Sequence, residues 1–305
     1  MKAAWKWACL CLIAVVLAMG VYAAEGDLEG DGNPESSDQA TAGSGDEVPP
    51  AVPESFTKDG KLDLDAVVDH FENLYRSDSS ISEAELIVSK PRRTKSMQMK
   101  MWTKGEEKAL IIIQSPAREK GIATLKVDKN LWNYFPRIRR TIRIPPSMML
   151  APWMGSDFTN DDLVRESSFR EDYTYELGGR SEDPPGWLVT FTARPGTVGL
   201  WNRFELVVSD DGLLPVQARY YDRKDRLART LYWDEVKEFD GRLIPAHMTL
   251  IPEDEEEGQD AQEAPPQDGE EVAPEEKTEL RYLDIDFDVE VPESTFSLSE
   301  LEQKR

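Results

Sequence analysis

From Ser96 to Phe287 the chain alternates apolar and polar residues in one short run after another, with turn signals between the runs. In "SMQMKMW", Met97, Met99 and Met101 alternate with Gln98 and Lys100. The runs "KALIIIQS", "IATLKVD", "NLWNYFP", "RTIRI", "DYTYEL", "WLVTFTA", "NRFELVVS", "LPVQARYYD", "LARTLYWDEVKEF", "RLIPAHMTLIP" and "TELRYLDIDF" follow. Period-two alternation sends successive side chains to opposite faces of a strand. The punctuation is Lys104-Gly105, Asp128-Lys129-Asn130, Gly178-Gly179, Asp210-Asp211-Gly212, Asp222 to Asp225 and Asp240-Gly241, residue types that favour tight turns. Strands linked so closely pair as antiparallel neighbours. The pattern predicts a mainly β (α+β) fold: one large, strongly curved antiparallel sheet or open half-barrel of about eleven strands. "LDLDAVVDHFENLYRS" departs from it, spacing Leu64, Val67, Val68, Phe71, Leu74 and Tyr75 as an amphipathic helix. That helix is expected on the concave face. A second, short helix is expected near Thr159, with Asp162 as its capping-box partner.

Charge divides the chain. The formal net charge is −23, but residues 24–59 hold ten acids and one base, and residues 252–279 thirteen acids and one base. Both stretches are also rich in Pro, Gly, Gln and Glu, a composition that buries too little apolar surface to offset its ordering entropy. The opening "MKAAWKWACLCLIAVVLAMGVYAAEG" has the basic start, apolar centre and small-residue end of a secretory signal peptide, the alternative being an uncleaved anchor helix. The expected organisation is therefore a signal peptide at 1–23 and a disordered acidic linker at 24–59. One folded domain follows at 60–301, interrupted by a disordered acidic insert at 252–278. Cys9 and Cys11 leave with the signal, so the mature chain has no thiol for a disulfide, a metal or a nucleophile. A soluble periplasmic protein is expected.

Against this acidity, Lys90 to Arg143 holds fifteen bases and four acids. Within it, "RIRRTIRI" presents Arg137, Arg139, Arg140 and Arg143 as an edge strand would, and these four are the candidate basic docking face. Nucleic acid is an unsuitable target for an exported protein, whereas anionic lipid head groups or an acidic partner surface suit it. A solvated strand edge blunted by charge is the simpler alternative.

Catalytic chemistry finds little support. The two histidines, His70 and His247, stand apart in sequence, and "GSD" at 155–157 lacks the second glycine of a nucleophile elbow. Asp157, Asp161 and Asp162 lack the spacing, glycine and closing glutamate of a calcium loop, and capping explains them. No cofactor, metal or enzymatic activity is expected. A hydrolase acting on envelope lipids or glycans would need a carboxylate pair that nothing singles out.

The segment "IRIPPSMMLAPWMGSDFTNDDLVRES" holds Met148, Met149, Leu150, Trp153 and Met154 in a stretch broken by Pro145, Pro146 and Pro152. No regular element can hide those side chains by periodicity. They are the candidate lid or membrane-contact loop, with permanent core as the alternative. The stripe of Met97, Met99 and Met101, together with Trp132 and Tyr134 on a later strand, is the candidate lipid-binding cavity, since methionine suits adaptable apolar surfaces. Ordinary core packing explains them equally well one at a time.

The blocks "MKMWTKGEEKALIIIQSPAREKGIATLKVDKNLWNYFPRIRRTIRI", "WMGSDFTNDDLVRESS", "YDRKDRLARTLYWDEVKEFDGRLIPAHMTLIP" and "FDVEVPESTFSLSEL" closely resemble outer-membrane lipoprotein-sorting proteins of the LolA-like family. The resemblance runs from Leu64 to Leu301. It implies an open barrel with helices as a lid over an apolar cavity. It also implies carriage of lipid or lipoprotein acyl chains across the periplasm, and partnership with an RND-type inner-membrane transporter. No catalytic residue comes with the family. A monomer is expected, since a carrier must expose its mouth. An accessory subunit that docks on a transporter without holding cargo is the alternative. Two features depart from the family pattern: the length of the acidic insert, and the apolar character of Pro145 to Pro152.

Overall fold

The computed structural model describes residues 54–59, 61–164, 169–197, 201–210, 213–253 and 276–303. The expected signal peptide, most of the acidic linker and the body of the acidic insert lie outside them. Part of the stretch assigned to the linker packs on the domain: Glu54–Phe56 form a 3-10 turn, and Phe56 meets His70 edge-on at 5.1 Å. Strands β1 (Thr57–Lys58) and β2 (Lys61–Leu62) then form a small ribbon.

Helix α1 (Leu64–Asn73) follows, capped by Asp63, which accepts from the Ala66 amide at 3.2 Å. Its stripe of Val67, Val68 and Phe71 is buried, as the spacing requires. Thirteen strands then make one curved antiparallel sheet that does not close. On one side lie β3 (Ser79–Lys90), β4 (Arg93–Lys104), β5 (Lys108–Ser115), β6 (Ala123–Val127), β7 (Asn130–Phe135) and β8 (Arg140–Arg143). On the other lie β9 (Tyr173–Glu182), β10 (Pro185–Ala193), β11 (Arg203–Val208), β12 (Pro215–Tyr221), β13 (Leu227–Phe239), β14 (Arg242–Pro252) and β15 (Lys277–Phe287). Each group is a meander, and the two join where β3 pairs with β15. The free edges are consequently β8 and β9, which are consecutive in the chain.

Several sequence expectations are corrected here. Strand β3 is the one strand that the twelve alternating runs do not include, and it brings the sheet to thirteen. Its inward positions include Ser80, Ser82 and Ala84, all buried, so small residues hide the apolar alternation. Ser80 satisfies its hydroxyl against Thr103 at 2.7 Å. Gly178-Gly179 is not a turn but lies inside β9, where the register against β10 shifts between Leu188 and Val189. A side chain at Gly178 would meet Leu188 at 3.1 Å, so the glycine marks a bulge and a close approach. The turn itself is at Asp183-Pro184. Arg137 and Arg139 lie in the β7–β8 turn rather than in a strand, and β8 starts at Arg140. Helices cover both faces of the sheet, not one. Helix α4 (Leu298–Gln303) and the 3-10 turn before it fold onto the convex side, where Val291, Phe296 and Leu301 bury against Leu110, Ile112, Ala123 and Leu125.

The main core fills the concave side. Near β3–β5 it is built of Met97, Met99, Met101, Ile111 and Ile113; near β10–β13 it is aromatic, with Phe191 stacked on Phe204 at 4.2 Å.

Candidate functional site

Between edge strand β8 and edge strand β9, the described residues 144–164 and 169–172 pack against the concave core as a strap. Its helices are α2 (Asn160–Val164) and α3 (Phe169–Asp172). The strap is tied to strand ends along one rim of the sheet. Trp153 Nε1 donates to Thr124 Oγ1, near the start of β6, at 3.1 Å. Asp157 receives Lys90 Nζ from the end of β3 at 2.5 Å and Thr278 Oγ1 from the start of β15 at 2.7 Å. Asp162 meets Arg229, near the start of β13, at 3.4 Å. The Asp172 carbonyl accepts from the Arg194 amide, just past β10, at 2.9 Å. The anchors are polar contacts, and between them Phe158 and Leu163 point into the apolar core.

The block Trp153–Phe158 is a compact clasp. Met154 and Gly155 both have positive φ (54° and 82°), which reverses the chain; open space surrounds the glycine, so conformation and not crowding selects it. The buried Ser156 hydroxyl bonds the Trp153 carbonyl at 2.7 Å, and the Trp153 amide bonds the Phe158 carbonyl at 2.7 Å. Trp153 and Phe158 drop into the core. Buried Asn160 staples the preceding loop by donating to the carbonyls of Met148 at 3.1 Å and Ala151 at 3.2 Å. Thr159 and Asp162 form the predicted reciprocal capping box.

Electrostatics at the ties follows from burial. Partial burial alone would lower the Lys90 ammonium, but hydrogen bonds to Asp157 and Glu276 outweigh it and hold its pKa above the ordinary lysine value. Burial pushes the Tyr220 phenol far up, against the pull of nearby Arg229. Arg229 is only 5% exposed and its guanidinium stacks over Trp201 at 4.5 Å and Tyr220 at 5.0 Å. Its Nε and Nη2 have no hydrogen-bond partner, so the Asp162 contact is its one ion pair among the described residues.

The candidate lid residues divide. Trp153 is 1% exposed, Met149 and Met154 are half-buried against the core, and Met148 and Leu150 are 49% and 40% exposed. Met97, Met99 and Met101 lie inward, in the same core as Trp153, Phe158 and Leu163 of the strap. Trp132 and Tyr134 do not join them, which corrects the cavity assignment. In β7 the inward residue is Leu131, and the two aromatics face the convex cluster. A shift of one residue exchanges the faces of a strand. Arg143 bonds Asn130, while Arg137, Arg139 and Arg140 project into solvent.

A separate cluster on the convex face brings Asp234, Glu235 and His247 together. His247 Nδ1 lies 2.7 Å from Asp234 and its Nε2 3.4 Å from Glu279, while Glu235 is engaged by Arg281 at 3.0 Å and Lys237 at 3.1 Å. Arg281 and Lys237 already engage Glu235, which leaves the trio without three free ligands for a metal.

A family model described as "-like: Uncharacterized protein" matches residues 105–303, about two thirds of the chain. A DUF1329 family protein from Desulfovibrio piger superposes with a TM-score of 0.63 at 22% identity, covering 77% of this chain and 96% of that one. An outer membrane lipoprotein-sorting protein domain from Vibrio parahaemolyticus does so at 0.58 and 19% identity, covering 74% and 92%. A LolA superfamily protein from Nitrosomonas europaea does so at 0.57 and 18% identity, covering 77% and 98%. The chain belongs to the family of that model, and it shares the fold of the lipoprotein-sorting and LolA superfamily structures. No curated protein matches it. In this fold the clasp Trp153–Phe158 has a structural meaning: it locks the strap to the centre and one flank of the half-barrel's rim.

Proposed function

We propose that the protein is an exported, non-enzymatic carrier that shelters acyl chains of lipids or lipoproteins beneath the strap. Export to the periplasm and hand-over from an RND-type inner-membrane transporter are part of this reading. A carrier of this kind meets a physical demand: each exposed methylene costs about 0.8 kcal/mol in water, so a sixteen-carbon chain costs on the order of 12 kcal/mol. The interior must therefore exclude water when loaded and still open for release.

The observation that carries the proposal is the construction of the strap. Apolar plugs, Trp153, Phe158 and Leu163, occupy the methionine-lined core, and a few polar ties at the rim hold them there. Withdrawing the plugs vacates apolar volume without breaking a strand pairing. Methionines at the vacated wall can repack around chains of different shape.

The test uses the absence of cysteine from the expected mature chain. Asp157→Cys with Thr278→Cys replaces a side-chain pair already in contact. Oxidised, the variant should take up a fluorescent fatty acid at least about tenfold more slowly than when reduced, since opening must then break a covalent bond. Equal uptake in both states by a folded protein would remove the strap from the mechanism. Native mass spectrometry of protein purified from a periplasm identifies the cargo class.

A further inference from the structure

The rim that anchors the strap also gathers charge from distant parts of the chain. Three adjacent hairpins end there, because β3 with β4, β5 with β6, and β7 with β8 all turn at the same side of the sheet. The first tip exposes Arg92 and Arg93. The second exposes Arg118 and Lys120, and the third Arg137, Arg139 and Arg140. None of these seven has an ion-pair partner among the described residues, whereas Lys90 and Lys95 behind them are paired with Asp157, Glu276 and Glu119.

Apolar surface is interleaved with this charge. Ile138, at the third tip, is 60% exposed, and Ile142, Met148 and Leu150 follow it along β8 and the strap. Beside the tip a groove of about 530 Å³ has Trp102, Ile112, Tyr134 and Pro136 among its lining, with Lys120 and Arg139 also on its wall. An apolar channel bordered by cations suits a molecule with an anionic head and a hydrocarbon body.

We propose that this rim docks on an anionic phospholipid bilayer, with the strap turned toward the membrane. Cations at three tips can engage head groups within a Debye length of the surface, and Ile138, Met148 and Leu150 enter the interfacial layer. The acid-rich segment 252–279 joins the end of β14 to the start of β15 on this same rim, so the docking surface is the flank of the rim formed by the tips from β4 to β8, on the far side of β3 from that segment. The inference rests on the surface of the rim alone, so it stands or falls separately from acyl-chain carriage.

Vesicle flotation of the mature chain tests it. Binding is expected to phosphatidylglycerol-containing vesicles and not to pure phosphatidylcholine, with loss in about 0.5 M salt, where screening is complete within a few ångströms. Arg137→Glu with Arg140→Glu should weaken binding at least about tenfold. Lys58→Glu with Lys129→Glu, the same charge change on exposed lysines away from this rim, should leave it unchanged. Ile138→Ser should weaken binding while preserving the preference for anionic lipid. Equal binding to both vesicle types, or equal losses in the two charge-reversal pairs, would overturn the proposal. So would a folded wild-type chain that ignores anionic vesicles, an outcome that would assign the rim to an acidic protein surface.

Discussion

At the scale of single residues, the strap shows how one indole and one carboxylate divide the work of closure. Trp153 contributes buried area and one hydrogen bond to Thr124. Asp157 contributes no apolar area but satisfies Lys90 and Thr278 at the sheet's centre. Trp153→Ala should cost about 3–5 kcal/mol in chemical denaturation if the strap unfolds with the rest of the domain. Asp157→Ala should cost about 1–3 kcal/mol, by leaving a lysine and a hydroxyl without their partner. If the strap opens independently, both variants should load a fluorescent fatty acid faster, and their melting temperatures should fall less than these figures imply. The roles of these residues were only half legible. The block Trp-Met-Gly-Ser-Asp-Phe marks an irregular clasp through its glycine and the prolines before it. That its tryptophan is a plug depends on Thr124, distant in sequence.

At the scale of elements, the convex side matters as much as the concave one. Val291, Phe296 and Leu301 cover Leu110, Ile112 and Leu125, making a second core on the outer face of β5 and β6. A chain ending at Glu290 would expose that patch, and sheet surface of this kind promotes association. Size-exclusion chromatography should show such a truncation moving from monomer to aggregate. A monomeric truncation with an unchanged melting temperature would mean that the C-terminal turn and α4 are ornamental to stability. This second core also explains why Trp132 and Tyr134 misled. Alternation in "NLWNYF" announces two apolar faces, and aromatic size suggests that Trp132 and Tyr134 take the larger core. In the fold Leu131 takes it, because a strand covered on both sides has no polar face to identify which side is inward.

At the scale of the whole molecule, strand order makes the strap necessary. Because β3 pairs with β15, the sheet's free edges fall in mid-chain, and Trp153, Phe158, Leu163 and Phe169, from the segment between them, pack on the concave side. If the protein is a carrier of the proposed kind, opening the mouth should be a local event of the strap. Hydrogen exchange should register it. Adding palmitate should speed exchange at the amides of Trp153, Ser156 and Asn160, which bond within the strap, and leave β3, β4 and β15 protected. Uniform acceleration across the sheet would instead indicate global loosening and count against a strap that acts alone.

What the sequence determined by itself is local in origin. Period-two alternation dictated strands, the 3.6-residue stripe dictated α1, and the Thr159–Asp162 pair dictated a helix start, since each depends only on residues a few positions apart. Strand β3 escaped because Ser80, Ser82 and Ala84 are buried by neighbours rather than by their own apolarity. Tertiary structure alone decided which face each aromatic occupies, that Trp153, Phe158 and Leu163 pack across the concave side, and that three hairpin tips add up to one basic rim. Those outcomes follow from strand order and register. They rest on pairings such as Lys277 with Ser89, between residues that no short-range pattern connects.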